Sequence, residues 1–546
     1  MFGINIIVFE GSPIYDSEAW WVRLGYVISA LKKLENIYLI ISQYNLAEIE
    51  KAIADTIEKA PRIISLQIHQ NNLETAEIFV KKIKDLLPRV HITLGNIEAT
   101  AFPEAIMERL SSADSVIIGE GEDTFRELTV RLMNDESLEG CNGLYYRDSG
   151  VIRKNEMRAL EENIDRFDFP YRRVTPIKFP EFFRPYTVLA SRGCQGHCTF
   201  CHSSPSQFQP GQRVRSRSIK NVLDEVEYLI KDYGANYILF KDGAFEDGCS
   251  VVGERYEELY QGIAARKLNI RFWFQSRAET IDAQKIPILK KLTTVGLDSI
   301  YIGCDGGNEE DLRLYGKRAK ITDNIRATKL LDEAGINFFT QLIMFNPYTT
   351  VAGLYQNIEF LQKIAALPNA LFTGDTILTR LSLCTGLPIN RKIRDDGLMN
   401  QDEGNPFIKN GFGYHFKDKR VAEVWNVIKT IVDVPIDSHT LNMCVSMSNY
   451  FSFHRNPWRE HPVIMSYKMA LKEYRVKSSS GLLSYVTKVI QHAEKGEMNI
   501  INSLGNEQEK LIGELEALWR KVEKCRFSVA AMLRREGLPL KNYIFD

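Results

Sequence analysis

Three cysteines fall within one short stretch, Cys194, Cys198 and Cys201 in ASRGCQGHCTFCHSS (190–204). Soft thiolates select iron–sulfur centres or zinc. At C-x-x-x-C-x-x-C spacing three thiolates hold three irons of a cubane cluster and leave the fourth open. An open iron implies chemistry at the cluster, not mere electron storage. Zinc is the alternative, since a structural zinc takes four ligands and His197 or His202 could supply the last. A zinc site usually pairs two knuckles across a longer loop, however. Here all three thiolates follow a single apolar run, PYTVLAS (185–191).

The elements that must hold this loop are legible as periodic runs. In residues 1–165, INIIVFE (4–10), IYLIIS (37–42), RIISLQI (62–68), VHITLG (90–95) and SVIIGEGE (115–122) read as strands. WVRLGYVISALKKL (21–34) and ETAEIFVKKIKDLL (74–87) carry apolar residues at helical spacing. Short strands alternating with helices predict a doubly wound parallel sheet of the Rossmann or flavodoxin kind. Residues 166–185 hold Pro170, Pro176, Pro180 and Pro185, which disfavour helix and central strand alike, so a linker is expected there.

Residues 186–390 alternate again. NVLDEVEYLIKDYG (221–234) reads as a helix, and YILFKDGAF (237–245), RFWFQSR (271–277), SIYIGCD (299–305), NFFTQLIMF (337–345) and TILTRLSL (376–383) as further strands. With the strand before the cysteines they predict a partial (β/α)6 barrel of the TIM type, whose active site lies at the carboxyl ends of the strands. The cysteine loop, Asp242, Arg277, Asp305 and Asn346 all fall at such ends. Residues 391–546 read as mostly helical, with a long helix expected over 506–537 that stops at a glycine.

Size and composition fit these segments. The chain has 546 residues, 44% of them hydrophobic and 25% charged, within the range of globular proteins of two to four domains. A net charge of −1 gives no global field for nucleic acid or an anionic membrane. No apolar run approaches membrane-spanning length, and MFGINIIVFEG has no basic stretch of the signal-peptide kind. The other six cysteines, Cys141, Cys249, Cys304, Cys384, Cys444 and Cys525, form no second C-x-x-C pair, which argues against an auxiliary cluster. Together these point to a reducing, cytoplasmic setting.

The cysteine motif is the signature of radical S-adenosylmethionine (radical SAM) enzymes, and about the first 390 residues resemble the members that bind cobalamin. The resemblance follows sequence order. LGYVISAL (24–31), the LGN turn (94–96) and GEGEDTF (119–125) match the cobalamin domain of the class. VRSRSIKNVLDEVEYL (214–229), FKDGAFED (240–247) and GLDSIYIGCDGG (296–307) match its barrel.

The resemblance implies a [4Fe-4S] cluster on Cys194, Cys198 and Cys201, and S-adenosylmethionine near Phe200, Asp242, Arg277 and Asp305. It implies cobalamin against Gln67, His69, Gln70, Asn71, Gly95, Asn96, Gly119, Glu120 and Gly121. There are departures. Asp305-Gly306 stands where the family has glutamate and serine, and FNPYTT (345–350) replaces a Gly-x-Pro-Gly-Glu-Thr turn. The first segment lacks D-x-H-x-x-G, so no motif histidine is available below the cobalt. That face is left to QIHQNN (67–72), where His69 either ligates or is simply hydrogen-bonded. Asp437-Ser438-His439 imitates the start of such a motif by chance, with Asn442 in place of the glycine.

The reaction so implied is methyl transfer. A 5′-deoxyadenosyl radical removes hydrogen from the substrate, and methylcobalamin methylates an unactivated carbon, or a phosphinate phosphorus, of a natural-product or cofactor precursor. A second enzymatic reading is cyclisation or rearrangement without net methylation. A reading from another class is a cobalamin- or cluster-binding sensor, though residues 391–546 show no DNA-binding motif. The expected partners are a small-molecule or peptide substrate and an electron donor such as flavodoxin or ferredoxin. The third segment is expected to cap the site. Arg213, Arg215 and Arg217 alternate, which suits a phosphate clamp or an exposed basic edge.

Overall fold

The computed structural model describes residues 1–10, 18–172, 184–203, 211, 214–247, 252–371, 374–400, 413–431, 444, 447–448, 451, 458–496 and 500–536. β1 (Phe2–Glu10) is apolar on both faces, the mark of a parallel strand covered on both sides. It pairs in parallel with β2 (Ile37–Asn45) and β3 (Ile63–Gln67), and β4 (His91–Gly95) and β5 (Ser115–Ile117) continue the sheet. The order β2-β1-β3-β4-β5 is doubly wound. Its helices are α1 (Glu18–Leu31), α2 (Ile49–Lys59), α3 (Leu73–Leu86), α4 (Ile97–Ala101), α5 (Pro103–Arg109) and α6 (Glu122–Met133). Two antiparallel strands, β6 (Leu144–Asp148) and β7 (Val151–Lys154), extend the sheet beyond the five read from the sequence. They turn through Ser149 and Gly150 at φ 50° and 84°, the geometry of a two-residue hairpin.

The second sheet begins with β8 (Pro185–Val188), which leads into the cysteine loop through a small antiparallel pair, β9 (Ser191–Arg192) and β10 (Arg215–Ser216). α7 (Ile219–Tyr233) follows. Ser218 Oγ accepts from Asn221 N at its start, and Gly234 ends it in the left-handed conformation. β11 (Tyr237–Phe240), α8 (Val252–Arg266), β12 (Arg271–Arg277), α9 (Ile286–Thr294), β13 (Leu297–Asp305), α10 (Glu309–Leu314), α11 (Ile321–Glu333), β14 (Phe338–Leu342) and α12 (Val351–Ala365) complete the repeats. The five strands of the barrel sheet are parallel, in the order β14-β13-β12-β11-β8.

The expected sixth strand, 376–383, keeps its place beside β14 but not its form. It opens as a 3-10 turn, Gly374–Leu378, and pairs with β14's extension through an isolated bridge, Phe345–Arg380, instead of a ladder. The Thr379 hydroxyl explains the change. It donates to Leu342 O at 2.5 Å and to Thr376 O at 2.9 Å, which ties the segment into a turn.

Alternate residues of the barrel strands divide two faces. Ile238, Phe240, Phe272, Phe274, Ile300 and Ile302 share one core with Val222, Val226, Leu259 and Leu331 of the surrounding helices. Trp273, Tyr301 and Phe339 face the other way and stack in sequence, with centroids 5.5 Å and 5.0 Å apart. The third segment covers this inner face. It comprises α13 (Pro388–Asp395), α14 (Lys419–Ile428), α15 (Pro462–Glu494) and α16 (Ile500–Arg535). α16 contains most of the helix read at 506–537. Tyr467 of α15 and Trp519 of α16 join a core with Tyr237, against which Leu239, Trp273 and Phe339 pack. α15 and α16 approach so closely that a Cβ on Gly481 would stand 2.8 Å from Leu511 Cδ1. Pro176, Pro180, Arg213, Cys249, Asp437, Ser438, His439 and Asn442 lie outside the described residues.

Candidate functional site

Past β9 the chain wraps tightly around its own sulfurs. Cys194 Sγ accepts from Gly196 N at 3.3 Å, and Cys201 Sγ accepts from Ser203 N at 3.4 Å. Two glycines make room for this packing, tightly at Gly243 and less so at Gly196. A Cβ on Gly243 would stand 2.8 Å from Cys194 Cβ, and one on Gly196 would stand 3.3 Å from Cys194 Sγ. Backbone bonds fix the loop from outside. Thr199 N donates to Tyr315 O at 2.9 Å, Ile389 N to Thr199 O at 3.1 Å, and Gln195 N to Asp247 Oδ2 at 2.6 Å.

All three cysteines are free thiols. Burial pushes the Cys194 thiol up to about 11 and the Cys198 thiol up to about 12. The donor set is sulfur alone. His197 Nδ1 lies 3.1 Å from Gln195 O, and His202 Nε2 lies 2.9 Å from Thr385 O, so each ring is turned to a carbonyl. Among the described residues no three His, Cys, Asp or Glu side chains are arranged to hold one metal ion. Three thiolates in one loop, without an imidazole, fit a cluster in which each sulfur holds its own iron, and not a four-coordinate zinc.

Three of the four residues expected near S-adenosylmethionine surround this loop. Arg277 Nη1 meets Asp247 at 2.6 and 2.7 Å, its Nε meets Glu279 at 3.1 Å, and Nη1 lies 3.9 Å from Cys194 Sγ. Asp305 is at φ 57° and pairs with Lys317 Nζ at 2.6 Å; that ammonium also donates to Gly303 O at 3.0 Å. Burial alone would lower Lys317, but the Asp305 carboxylate holds it above the ordinary lysine range. Phe200 packs edge-on against Tyr315, centroids 5.2 Å apart. Asp242 is not in this group. It binds Ser191 and lines the cleft between the two sheets, whose wall also takes in Gly193, His202 and Ser203 of the cysteine loop. The structure also brings Asp247, Lys317 and Tyr315 to this loop, none of which the sequence reading singles out. FKDGAFED does contain Asp247, five residues after Asp242.

The cleft measures about 370 Å³ and lies between the two sheets. Of the nine residues expected to meet a corrin, Gln67, Gly95, Asn96, Gly119, Glu120 and Gly121 line it. His69 and Asn71 do not, and the side chain of Gln70 lies outside the described residues. The reason is a fold-back of the loop. Asn72 Oδ1 accepts from His69 N at 2.8 Å, and Asn72 Nδ2 donates to Gln67 O at 2.9 Å, which closes a 3-10 turn over Gln70–Asn72. His69 is thereby buried, its pKa lowered to about 4, and its Nδ1 lies 2.9 Å from Asn96 Nδ2. Of the two readings of His69, the structure shows the hydrogen-bonded one, with the ring against Asn96 at the edge of the cleft.

Glu120 lines the cleft with its backbone turn but spends its carboxylate between the sheets. It meets Arg192 Nη1 at 2.7 Å and Arg215 Nη2 at 2.5 Å, while Glu122 meets Arg192 Nη2 at 2.7 Å. Burial would raise the Glu120 carboxyl, yet Arg192 and Arg215 hold it below the ordinary range. Arg192 stands two residues before Cys194, so one ion-pair cluster ties the cleft's glycine turn to the cysteine loop. Arg215 is therefore neither a phosphate clamp nor an exposed edge.

Comparison with known proteins agrees with this architecture. The family model for the Radical SAM superfamily matches residues 188–361, and that for the B12 binding domain matches residues 20–129. An uncharacterized methyltransferase of Pyrococcus horikoshii, PH0819, is 28% identical over 315 residues, covering 57% of this chain and 66% of the relative. The 4′-phospho-dehydrooxetanocin synthase of Priestia megaterium is 25% identical over 403 residues, covering 68% and 52%. The anaerobic magnesium-protoporphyrin IX monomethyl ester cyclase of Cereibacter sphaeroides is 24% identical over 336 residues, covering 59% and 53%. The chain thus spans between about half and two thirds of the length of these relatives. In fold it is similar to the cobalamin-dependent S-adenosylmethionine radical enzyme OxsB solved with aqua-cobalamin and S-adenosylmethionine. The TM-score is 0.66 at 20% identity, over 100% of this chain and 82% of that one.

Proposed function

Because this chain belongs to the radical SAM superfamily and carries a B12-binding domain, we propose that it is a cobalamin-dependent methyltransferase acting on a small molecule. One observation carries the reading. The glycine turn of the cleft and the cysteine loop are joined through Glu120 and Arg192, so both cofactor sites belong to one interface. We divide the chain accordingly into a cobalamin domain (1–165), a linker (166–185), a radical SAM core (186–390) and a helical cap (391–546).

When bound, a [4Fe-4S] cluster supplies the electron that cleaves S-adenosylmethionine to a 5′-deoxyadenosyl radical, and cobalamin supplies the methyl group. The chain's own residues do the rest. Cys194, Cys198 and Cys201 hold the cluster. Asp247 sets the loop by accepting from Gln195 N, and it also orients Arg277 at its rim. Lys317 neutralises Asp305 beside Cys198, so the pair can divide between the ammonium and carboxylate of an amino acid. Gly95, Gly119 and Gly121 let backbone approach a flat ring. α15 and α16 cover the inner barrel face and keep water from it.

Thiols left free and an oxygen-sensitive cluster suit a reducing cytoplasm, with flavodoxin or ferredoxin as electron donor. Among the described residues no helix is long and apolar enough to cross a membrane. Cyclisation without methylation is the second reading, favoured by the likeness to the magnesium-protoporphyrin cyclase.

Anaerobic reconstitution with iron, sulfide and cobalamin tests both. Methylated product together with S-adenosylhomocysteine supports methyl transfer. 5′-Deoxyadenosine with an unmethylated product moves the assignment to the cyclase reading, and failure to take up either cluster or corrin refutes both. The interface has its own test. Glu120→Gln removes the charge shared by Arg192 and Arg215, and is expected to weaken cobalamin binding about tenfold, or about 1.4 kcal/mol. An absorbance titration that shows wild-type affinity would mean that the ion-pair cluster does not set the cleft.

A further inference from the structure

Arg23 is a guanidinium without a counter-ion. It lies on α1, is exposed, and makes no hydrogen bond or ion pair among the described residues. The space to which it is exposed is the cleft, whose wall it joins beside Tyr26 and Val27. Protein surrounds that space, so burial and the neighbouring Arg192 guanidinium hold Arg23 below the ordinary arginine range. The carboxylates of the wall are spent on other partners. Glu120 lies between Arg192 and Arg215, Glu122 meets Arg192, and Asp242 accepts from Ser191. A second cation stands on the barrel's side. Lys241 follows β11, is half-buried over the Trp273 ring at 4.7 Å and lines the same cleft. A positive charge that no carboxylate answers, in a space enclosed by protein, costs free energy that an anionic ligand recovers.

The place of this charge tells what carries the anion. Arg23 acts electrostatically on Glu120 of the glycine turn and on His202 of the cysteine loop. It therefore stands between the elements assigned to the two cofactors. On the cobalamin reading given above, on which this inference rests, that is where the substrate must lie. A guanidinium presents paired N–H donors to a phosphate, and an ammonium adds a point charge. Two cations match the charge of about −2 that a phosphate monoester carries near neutral pH. We propose that Arg23 and Lys241 bind a phosphate monoester of the substrate in the cleft, between corrin and cluster. The corrin's own phosphodiester, a monoanion, is the rival source of phosphate.

The test uses the full chain with cluster and cobalamin restored anaerobically. Phenylglyoxal modifies guanidiniums that solvent reaches. Peptide mass spectrometry reads its extent at Arg23 and at Arg89, an exposed arginine outside the cleft. Arg23 is expected to react in the cobalamin-loaded protein. Saturating inorganic phosphate is expected to slow that reaction about tenfold or more and to leave Arg89 unchanged. Lys241→Gln is expected to raise the phosphate concentration needed about tenfold. Equal protection of the two arginines, or none, overturns the proposal. So does an Arg23 that is unreactive even without corrin, because the guanidinium is then closed off. Shielding of Arg23 by the corrin overturns it as well; if cobalamin shields and cobinamide, which lacks the phosphodiester, does not, the phosphate is the corrin's own. Failure to take up any corrin instead removes the cobalamin reading, and phosphate protection at Arg23 is still decided in the protein that holds the cluster alone.

Discussion

Serine in place of any one of Cys194, Cys198 or Cys201 is expected to lower 5′-deoxyadenosine formation about 1,000-fold or more, equivalent to about 4 kcal/mol of barrier. The argument is one of ligand chemistry. A serine hydroxyl is a hard, weakly acidic donor, and a soft iron–sulfur centre takes thiolate. The loop offers no substitute, because His197 and His202 are turned to the carbonyls of Gln195 and Thr385. Iron and sulfide counts should fall together with activity. Cys141→Ala supplies the control. That thiol is fully buried in the core of the first sheet, remote from the loop, and its loss should leave cleavage intact. Equal loss of cleavage in Cys141→Ala, or wild-type cleavage in the three serine variants, would mean that the loop does not hold the catalytic cluster.

What could be read without a structure is what sits close together in the chain. Cysteine spacing, the five parallel strands of the first sheet and the glycines of the cleft are local patterns, with periods of two or 3.6 residues or fixed offsets. The errors are of another kind. Asp247 and Lys317 are single charges in loops. Their meaning comes from partners 30 and 12 residues away, Arg277 and Asp305, which only the barrel brings near. His69 has the right residue type in the right loop, but Asn72 turns the loop back and buries it. The segment 376–383 alternates like a strand, yet one hydroxyl, on Thr379, bends it into a turn. β6 and β7 are short, with partly exposed residues, and offered only the Ser149-Gly150 turn as a signal.

The same blindness to distant partners applies to Arg217, and it leads to the largest expected loss of stability. In sequence Arg217 looked like part of a basic edge. In the fold it is buried and ion-paired to Glu225 of α7, whose other oxygen meets Arg172 Nη2 at 2.5 Å. The side chains of Arg172, Glu225 and Arg217 are 3%, 0% and 4% exposed. Two guanidiniums therefore share one carboxylate that no water reaches. Glu225→Ala leaves both cations buried and is expected to cost about 3–5 kcal/mol, read from urea denaturation of the full chain. The triple change Arg172→Met, Glu225→Leu, Arg217→Met removes all three charges and should cost far less than the single one, since buried ion pairs gain little over apolar packing. A Glu225→Ala cost below about 1 kcal/mol would show that the charges are hydrated after all. The consequence would reach the site. Arg217 Nη1 also donates to Leu189 O at 3.0 Å, in the link between β8 and β9 that leads to the cysteine loop, and lies 3.3 Å from Tyr26 Oη of α1, a residue lining the cleft. One buried carboxylate thus supports both walls of the interface, and Glu225→Ala should weaken cobalamin binding even at temperatures where the chain remains folded.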